Sequence, residues 1–201
     1  MPNHSITLAR AFGPALVVLS LGCTSAPPPT VRVPVTSQPT ATPAPARPQP
    51  ANFTTASAML RDLAGGRAGT ATFTDTYAGV LVVATVTGVG LGSHGIHIHE
   101  TGKCDAPFTT AGPHFNPTRK QHGYRNAEGH HLGDLPNFDT PPAGRLTFEF
   151  LMAGVSLKGQ HALLDGDGAA VVVHSARDDY RTDPSGDSGS RIACGVLVPR
   201  G

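Results

Sequence analysis

Histidine is concentrated in one stretch of the chain, residues 94–134, which holds seven of the ten histidines. A buried imidazole is costly unless its ring nitrogens find partners, so packing alone does not account for this density. Imidazole nitrogens, together with a carboxylate such as that of Asp134, are ligands that zinc and copper accept. The stretch is therefore predicted to hold a metal site.

The candidate ligands fall into two groups by their local sequence. His97 and His99 lie on a predicted strand, where alternation places both imidazoles on one face and Ile98 on the other. Such a pair can chelate one ion, but the same spacing also occurs on solvated strand faces. His174 ends another apolar strand and, taken singly, is more simply a core histidine. A predicted loop adds three imidazoles and one carboxylate, an ordinary tetrahedral set for Zn²⁺, at His114, His122, His131 and Asp134.

The rest of the sequence predicts an all-β domain. Glycine (24) and proline (19) are abundant, and no helical period of apolar residues persists. Strands are predicted at residues 58–63, 69–73, 79–87, 145–150, 169–174 and 192–198. The long segments 101–143 and 175–190 remain as two loops. Loops of this length in a compact domain usually carry function.

Charge argues against a nucleic-acid partner. The formal net charge of the chain is +1, and from Phe53 onward twelve basic residues stand against fourteen acidic ones, a net charge of −2. No basic run stands out, whereas a nucleic-acid-binding surface needs a basic patch. We predict no nucleic-acid partner.

The first 52 residues are predicted to lie outside the fold. Residues 1–22 resemble a signal peptide, with an apolar run at 11–21 too short to span a bilayer comfortably. The sequence SLGC resembles a bacterial lipoprotein cleavage site and predicts lipidation of Cys23. An ordinary signal peptide with an incidental cysteine is the alternative, but lipidation would account for the odd cysteine of three if the other two pair. Residues 24–52 carry nine prolines and no acidic residue, so 23–52 is predicted to be a lipidated, disordered tether before a globular domain at 53–201.

Five motifs, in chain order, carry a resemblance to a known family: HGIHIHE, GPHFNP, HHLGDL, VVVHSARDD and GSRIACGV. Together they resemble copper,zinc superoxide dismutase of the bacterial secreted type, over nearly all of residues 58–198. The resemblance implies an eight-stranded Greek-key β-barrel, flattened and sandwich-like, an architecture this family is known to share. It also implies dismutation of superoxide to O₂ and hydrogen peroxide by copper redox cycling, with one copper and one zinc ion per subunit.

Carried over position by position, the resemblance implies copper ligands at His97, His99, His114 and His174, and zinc ligands at His114, His122, His131 and Asp134. His114 would bridge the two metals and pass a proton to the product. His131 is preferred to His130 because it stands three residues before Asp134, as the family pattern requires.

Three further roles follow from the same resemblance. Asp178 matches an aspartate that links ligand histidines of the two metals, and Arg191 matches an arginine beside copper that guides the superoxide anion. Cys104 and Cys194 match the disulfide within the subunit. The protein is expected outside the cytoplasm, where it would protect the cell envelope from superoxide. Its contact with a membrane would be through the lipid on Cys23, and a homodimer is left open because bacterial relatives occur both as dimers and as monomers.

Two other functions fit the same residues. The domain could be a metal-buffering module that has lost turnover, or a structural surface domain in which copper is dispensable. Loss of a ligand or of Arg191 would favour the metal-buffering module, yet every expected position is filled. If the domain were structural, deletion of the metal site would leave its role intact. The complete set of motifs in its predicted context favours the enzyme.

Overall fold

The computed structural model describes residues 53–200. The predicted signal peptide (1–22), the predicted lipidation site at Cys23 and the predicted tether (24–52) lie outside the described residues. Within residues 53–200, no helix is long and apolar enough to cross a membrane.

Ten strand segments build the domain. They are β1 (Thr55–Asp62), β2 (Arg67–Thr76), β3 (Gly79–Thr87), β4 (Gly92–His94), β5 (Ile96–His99), β6 (Phe138–Thr140), β7 (Arg145–Ala153), β8 (Ala170–His174), β9 (Arg191–Val196) and β10 (Val198–Arg200). Only Gly95 separates β4 from β5, and only Leu197 separates β9 from β10. The ten segments therefore form the eight strands that the family resemblance implies. A short 3₁₀ turn, Thr109–Ala111, is the one helical element among residues 53–200.

The named strands all pair antiparallel. One sheet has the order β5-β8-β9-β1-β2-β3-β7, with β10 added to β1, and β4 pairs with β6 in a second, small sheet. Since β4 and β5 are one bent strand, they join the two sheets, and the stacked rings of Phe138 on β6 and Phe148 on β7 close the other side at 5.1 Å. The connections from β3 to β4 and from β7 to β8 cross over instead of joining neighbours. The Greek-key β-barrel is confirmed.

The predicted strand boundaries agree best with the structure where β-branched residues follow one another without interruption. The predicted strand at 79–87 matches β3 at both ends. β1 and β2 run further than predicted, because their threonines continue the antiparallel register, as in the pair Thr55 and Thr74. The predicted last strand is interrupted at Leu197, which is buried and donates its N–H to Ala169 O at 3.0 Å. Before it, β9 pairs with the end of β1, and after it, β10 pairs with the start of β1.

Alternation along β5 divides the core from the candidate site. Ile96 and Ile98 are fully buried in the main apolar cluster, and burial of each isoleucine stabilises the fold by about 1.5–3 kcal/mol. His97 and His99 point to the opposite side and are also fully buried. The strand is therefore covered on both faces, by the core on one and by the long loops on the other.

A glycine brings the first long loop against β5. Gly133 donates its N–H to Phe115 O at 2.8 Å, and Gly133 O accepts from Ile98 N–H at 2.9 Å. A Cβ atom on Gly133 would lie 2.4 Å from Ile98 O, so no other residue fits this approach. The glycine thus sets the distance between β5 and the loop residues on either side of it.

A disulfide bond between Cys104 and Cys194 fastens the start of the same loop to β9, which confirms the predicted pair. Cys194 is buried in a second apolar cluster with Phe108 and Val172. The bond spans 90 residues of sequence, so it restricts the unfolded chain strongly. It also holds the segment that leads to the 3₁₀ turn next to the last strand.

Candidate metal centre

Four buried imidazoles meet where β5, β8 and the first loop come together. The antiparallel pairing of β5 and β8 brings the β5 histidines beside the end of β8, and a bridge between His99 and His114 holds the loop residue next to them. Ring centroids are 4.0 Å apart for His97 and His114, and 4.8 Å apart for His97 and His174. This four-imidazole set, whose candidate ligand atoms lie within 4.8 Å of one another, consists of His97, His99, His114 and His174.

In each imidazole of this set one ring nitrogen faces the protein and the other has no hydrogen-bond partner. His97 Nε2 lies 2.8 Å from Asp178 Oδ2, and His99 Nδ1 lies 2.8 Å from Gly112 O. A ring nitrogen that faces an acceptor carries the proton, so the other nitrogen offers a lone pair. The unpartnered, buried nitrogens are Nδ1 of His97 and Nε2 of His99, His114 and His174. Four convergent lone pairs of this kind fit a copper ion.

Burial keeps these imidazoles neutral. It lowers the pKa of His97 and lowers that of His99 well below its usual value. Burial also lowers the pKa of His114 to about 4 and that of His174 to about 2. Metal ligation requires the neutral ring. Near neutral pH, therefore, no proton has to leave these nitrogens before an ion binds.

The second set converges on one carboxylate oxygen. Asp134 Oδ1 lies 2.9 Å from His114 Nδ1, 3.0 Å from His122 Nδ1 and 3.2 Å from His131 Nδ1. The Nδ1 atoms of His114 and His131 are 3.5 Å apart. Ligands of a tetrahedral Zn²⁺ ion at about 2.0–2.1 Å are about 3.3 Å from one another, so this three-imidazole, one-carboxylate set has the spacing that zinc needs. His114 belongs to both sets, through Nδ1 here and Nε2 in the four-imidazole set.

Unlike the neutral first set, the second set holds ionised groups. Burial acts to raise the pKa of Asp134, but hydrogen bonds from three histidines outweigh it and hold that pKa far below its usual range. Burial likewise acts to lower the pKa of His122, yet the carboxylates of Asp134 and Asp178 raise it to about 9. The site therefore keeps a permanent negative charge at Asp134, which favours a dication.

Asp178 joins the two sets. Its Oδ2 lies 2.8 Å from His97 Nε2 and its Oδ1 lies 3.0 Å from His122 Nε2, and the side chain is fully buried. A Cβ atom on Gly186 would lie 1.9 Å from Asp178 Oδ1, so the glycine makes room for the carboxylate. The neighbouring Asp179 instead accepts hydrogen bonds from Thr182 and from the Arg181 amide, at the surface. Of the two adjacent aspartates, only Asp178 contacts the site.

Arg191 lies at the mouth of the four-imidazole set. Its guanidinium donates from Nη1 to Phe108 O at 2.6 Å and from Nη2 to Gly112 O at 2.7 Å, which fixes its position. It opens, with His114 and His174, onto a cavity of about 460 Å³. A small anion that enters this cavity meets one cation and the two histidine rings together.

The structure brings together all of the predicted ligands, and it places Asp178 and Arg191 beside them. It also shows two residues at the site that the sequence analysis did not single out, Gly112 and Asn137. The carbonyl of Gly112 accepts hydrogen bonds from both His99 Nδ1 and Arg191 Nη2. Asn137 hydrogen-bonds the backbone of Asp178 in both directions. No spacing pattern marks either residue, because one acts through a carbonyl that every residue has and the other through a contact between distant loops.

Comparison with known proteins gives one family. The chain matches the family described as copper/zinc superoxide dismutase (SODC) over residues 67–197. It is 42% identical over 137 residues to "Superoxide dismutase [Cu-Zn] 1" of Aquifex aeolicus, covering 66% of this chain and 81% of that protein. It is 40% identical over 147 residues to "Superoxide dismutase [Cu-Zn]" of Caulobacter vibrioides, covering 71% of this chain and 84% of that protein. Among solved structures, a SOD-like protein from Bacillus subtilis is similar with a TM-score of 0.68 and 37% identity, covering 71% of this chain and 97% of that one.

Replacement of Asp178 by asparagine is predicted to weaken metal binding. The amide keeps one oxygen acceptor but presents an NH₂ group to the second histidine, so one of the two ring contacts is lost. We expect affinities for zinc and copper to fall by about 10- to 100-fold, as measured by competition with graded chelators. Asp179→Asn, one residue away at the surface, is the control, and equal losses in both variants would contradict the assigned role of Asp178.

Proposed function

The chain belongs to the copper/zinc superoxide dismutase family, and on that premise we propose that its four-imidazole set holds copper and that its three-imidazole, one-carboxylate set holds zinc. The protein is an oxidoreductase that converts superoxide to O₂ and hydrogen peroxide, with copper and zinc as its cofactors. The observation that carries the ligand assignment is the shared ring of His114. Its Nδ1 contacts Asp134 while its Nε2 is buried without a partner in the other set.

The two ions would have different roles. When bound, copper supplies the one-electron chemistry of dismutation, while zinc, which has no redox chemistry, orders the loop and holds the shared imidazole. His114 Nε2 lines the cavity together with Arg191. In this proposal Arg191 binds and orients the superoxide anion, and His114 Nε2 holds the proton that is delivered to the product.

Attraction of the anion must be local. The globular part of the chain carries a net charge of −2, so its overall field does not favour an anion. Charge focusing in a cleft raises the arrival rate of a small ion by about 10- to 1000-fold, a range for which this enzyme family is one of the known examples. Arg191 is the cation that lines the cavity, and Lys120 and Arg181 are exposed cations in the two loops that can add to its field.

Loss of a copper ligand tests the assignment directly. The metal-loaded wild type is expected to remove superoxide catalytically and to bind one copper and one zinc ion per chain. His97→Ala is expected to abolish activity and copper binding while it leaves the β-barrel folded, because Ile96 and Ile98 still fill the core. Activity, metal content and the copper EPR signal are measured together. His130→Ala, outside both sets, is the control. A wild type that binds one copper ion without turnover would support the metal-buffering function instead.

Loss of the cavity cation is predicted to slow the reaction. Arg191→Ala is expected to lower kcat/KM by about 10- to 100-fold and to weaken its dependence on salt, because the focused field is removed. Arg145→Ala removes the same charge from exposed β7, away from the cavity, and serves as the control. Rates are measured across a series of ionic strengths. If kcat/KM falls equally in both variants, the net charge of the protein and not the position of Arg191 governs the rate.

The disulfide bond supports an extracytoplasmic location. A disulfide bond such as Cys104–Cys194 forms and persists in oxidising compartments, which supports a place outside the cytoplasm. There the enzyme would protect the cell envelope from superoxide, with a lipid on Cys23 as its anchor and residues 24–52 as its tether.

Anchoring by Cys23 can be tested by fractionation. The full-length wild type is expected in the membrane fraction, and Cys23→Ser is expected to move the enzyme to the soluble fraction. Its activity should stay intact, because Cys23 precedes residues 67–197, which match the family. Incorporation of labelled fatty acid gives the chemical readout. A Cys23→Ser protein that stays with the membrane would rule out the lipid as the anchor.

A further inference from the structure

Asn137 lies just before β6, at the end of the first long loop, and its side chain reaches across to the second. Its Nδ2 donates to the carbonyl of Asp178 at 2.8 Å, and its Oδ1 accepts from the amide N–H of Asp178 at 2.8 Å. One side chain thus holds both backbone polar groups of a single residue. Asp178 lies in no strand, so the regular pairing of the barrel does not fix its position.

Tyr180 completes the hold on this segment. Its phenolic oxygen accepts from the amide N–H of Asn137 at 2.6 Å, and its own amide N–H donates to Asp178 Oδ1 at 2.6 Å. Its carbonyl accepts from the Arg125 amide at 2.9 Å. A Cβ atom on Gly123 would lie 2.1 Å from the carbonyl carbon of Tyr180, so the first loop encloses this segment closely.

We infer that Asn137 and Tyr180 are positioning residues for the metal centre: they fix the Asp178 carboxylate, which in turn aims a histidine ring in each set. Asp178 must satisfy His97 Nε2 at 2.8 Å and His122 Nε2 at 3.0 Å at once. A small shift of its backbone therefore breaks one contact or the other. The inference rests on the ligand assignment proposed above.

The chain supplies a matched comparison. Asn116 makes the same pair of bonds to the backbone of one residue, from Nδ2 to Lys120 O at 2.8 Å and from the Lys120 amide to Oδ1 at 2.9 Å. That pair closes a turn within the first loop and ends on an exposed lysine. We call each such pair of bonds from an asparagine side chain to the backbone of one residue a clamp. Loss of the donor removes the same hydrogen bond from either clamp, but only the Asn137 clamp ends on a residue that contacts both ligand sets.

The test uses the full chain loaded with copper and zinc. Asn137→Asp keeps the oxygen that accepts from Asp178 but sets a carboxylate oxygen against the Asp178 carbonyl, so the donor is lost. We expect zinc affinity to fall about 10-fold, toward the lower end of the range for residues behind metal ligands. We also expect the copper EPR spectrum to change, because the His97 ring is no longer held in place. Asn116→Asp is expected to leave zinc affinity within about twofold of the wild type and the EPR spectrum unaltered, since neither Asn116 nor Lys120 hydrogen-bonds a ligand side chain.

The outcomes separate positioning from stability. If Asn137→Asp lowers Tm as Asn116→Asp does, but zinc affinity and the EPR spectrum stay at wild-type values, the role of Asn137 is structural and the inference fails. Tyr180→Phe removes only the accepting oxygen, and it must shift the same two readouts even if Asn137→Asp does not fold. A wild type that lacks one copper and one zinc ion per chain would overturn the ligand assignment itself, which is a distinct result.

Discussion

The metal centre depends on the fact that an imidazole has two nitrogens and the fold satisfies only one of them. In each ring of the four-imidazole set, one nitrogen faces a carboxylate or a backbone carbonyl, and the other is buried without a partner. Burial of an unpaired polar atom is unfavourable, so the apoprotein carries a cost that a bound ion removes. The contact on the first nitrogen sets the tautomer and the angle of the ring. The orientation of the ligand nitrogens is thus set by the carbonyls and carboxylates behind the rings.

His97, His99 and His174 are held by strands, but His114, the other zinc-set ligands and Asp178 lie in two loops without regular backbone pairing. In these loops, close approach to neighbouring backbone takes the place of strand pairing. Gly133 lets the first loop press against Ile98, and Gly186 lets the second wrap around Asp178. Buried side chains then cross between the loops, so their relative position is fixed by hydrogen bonds of about 2.8–3.0 Å, the usual length for N–H···O contacts. Because Asp178 contacts a ring in each set, a displacement of either loop is felt at both metals. Hydrogen bonds between the loops therefore hold them together at the metal centre.

Much of this arrangement could be predicted from the sequence, because it follows from alternation. The β-branched run of β3 predicted its strand at both ends, and the period of two correctly placed His97 and His99 on one face, opposite Ile98. The residues that orient the rings could not be predicted. Gly112 stands in the GPHFNP motif, but the motif does not reveal the role of its carbonyl. Asn137 acts on a residue of the other loop. The break of the last strand at Leu197 was also missed, since a buried apolar residue looks the same in a strand and in a bend.

The carbonyl of Gly112 links Arg191 to the four-imidazole set. It accepts hydrogen bonds from His99 Nδ1 and from Arg191 Nη2, so one oxygen atom fixes the positions of both the ring and the guanidinium. Phe108, which supplies the other carbonyl to Arg191, belongs to the apolar cluster around Cys194, and the disulfide fastens the same segment to β9. Arg191 itself begins β9. The cation and the carbonyls that hold it are therefore connected both through the strand and through the cross-link, and the distance from the guanidinium to the histidine rings does not depend on the loop alone.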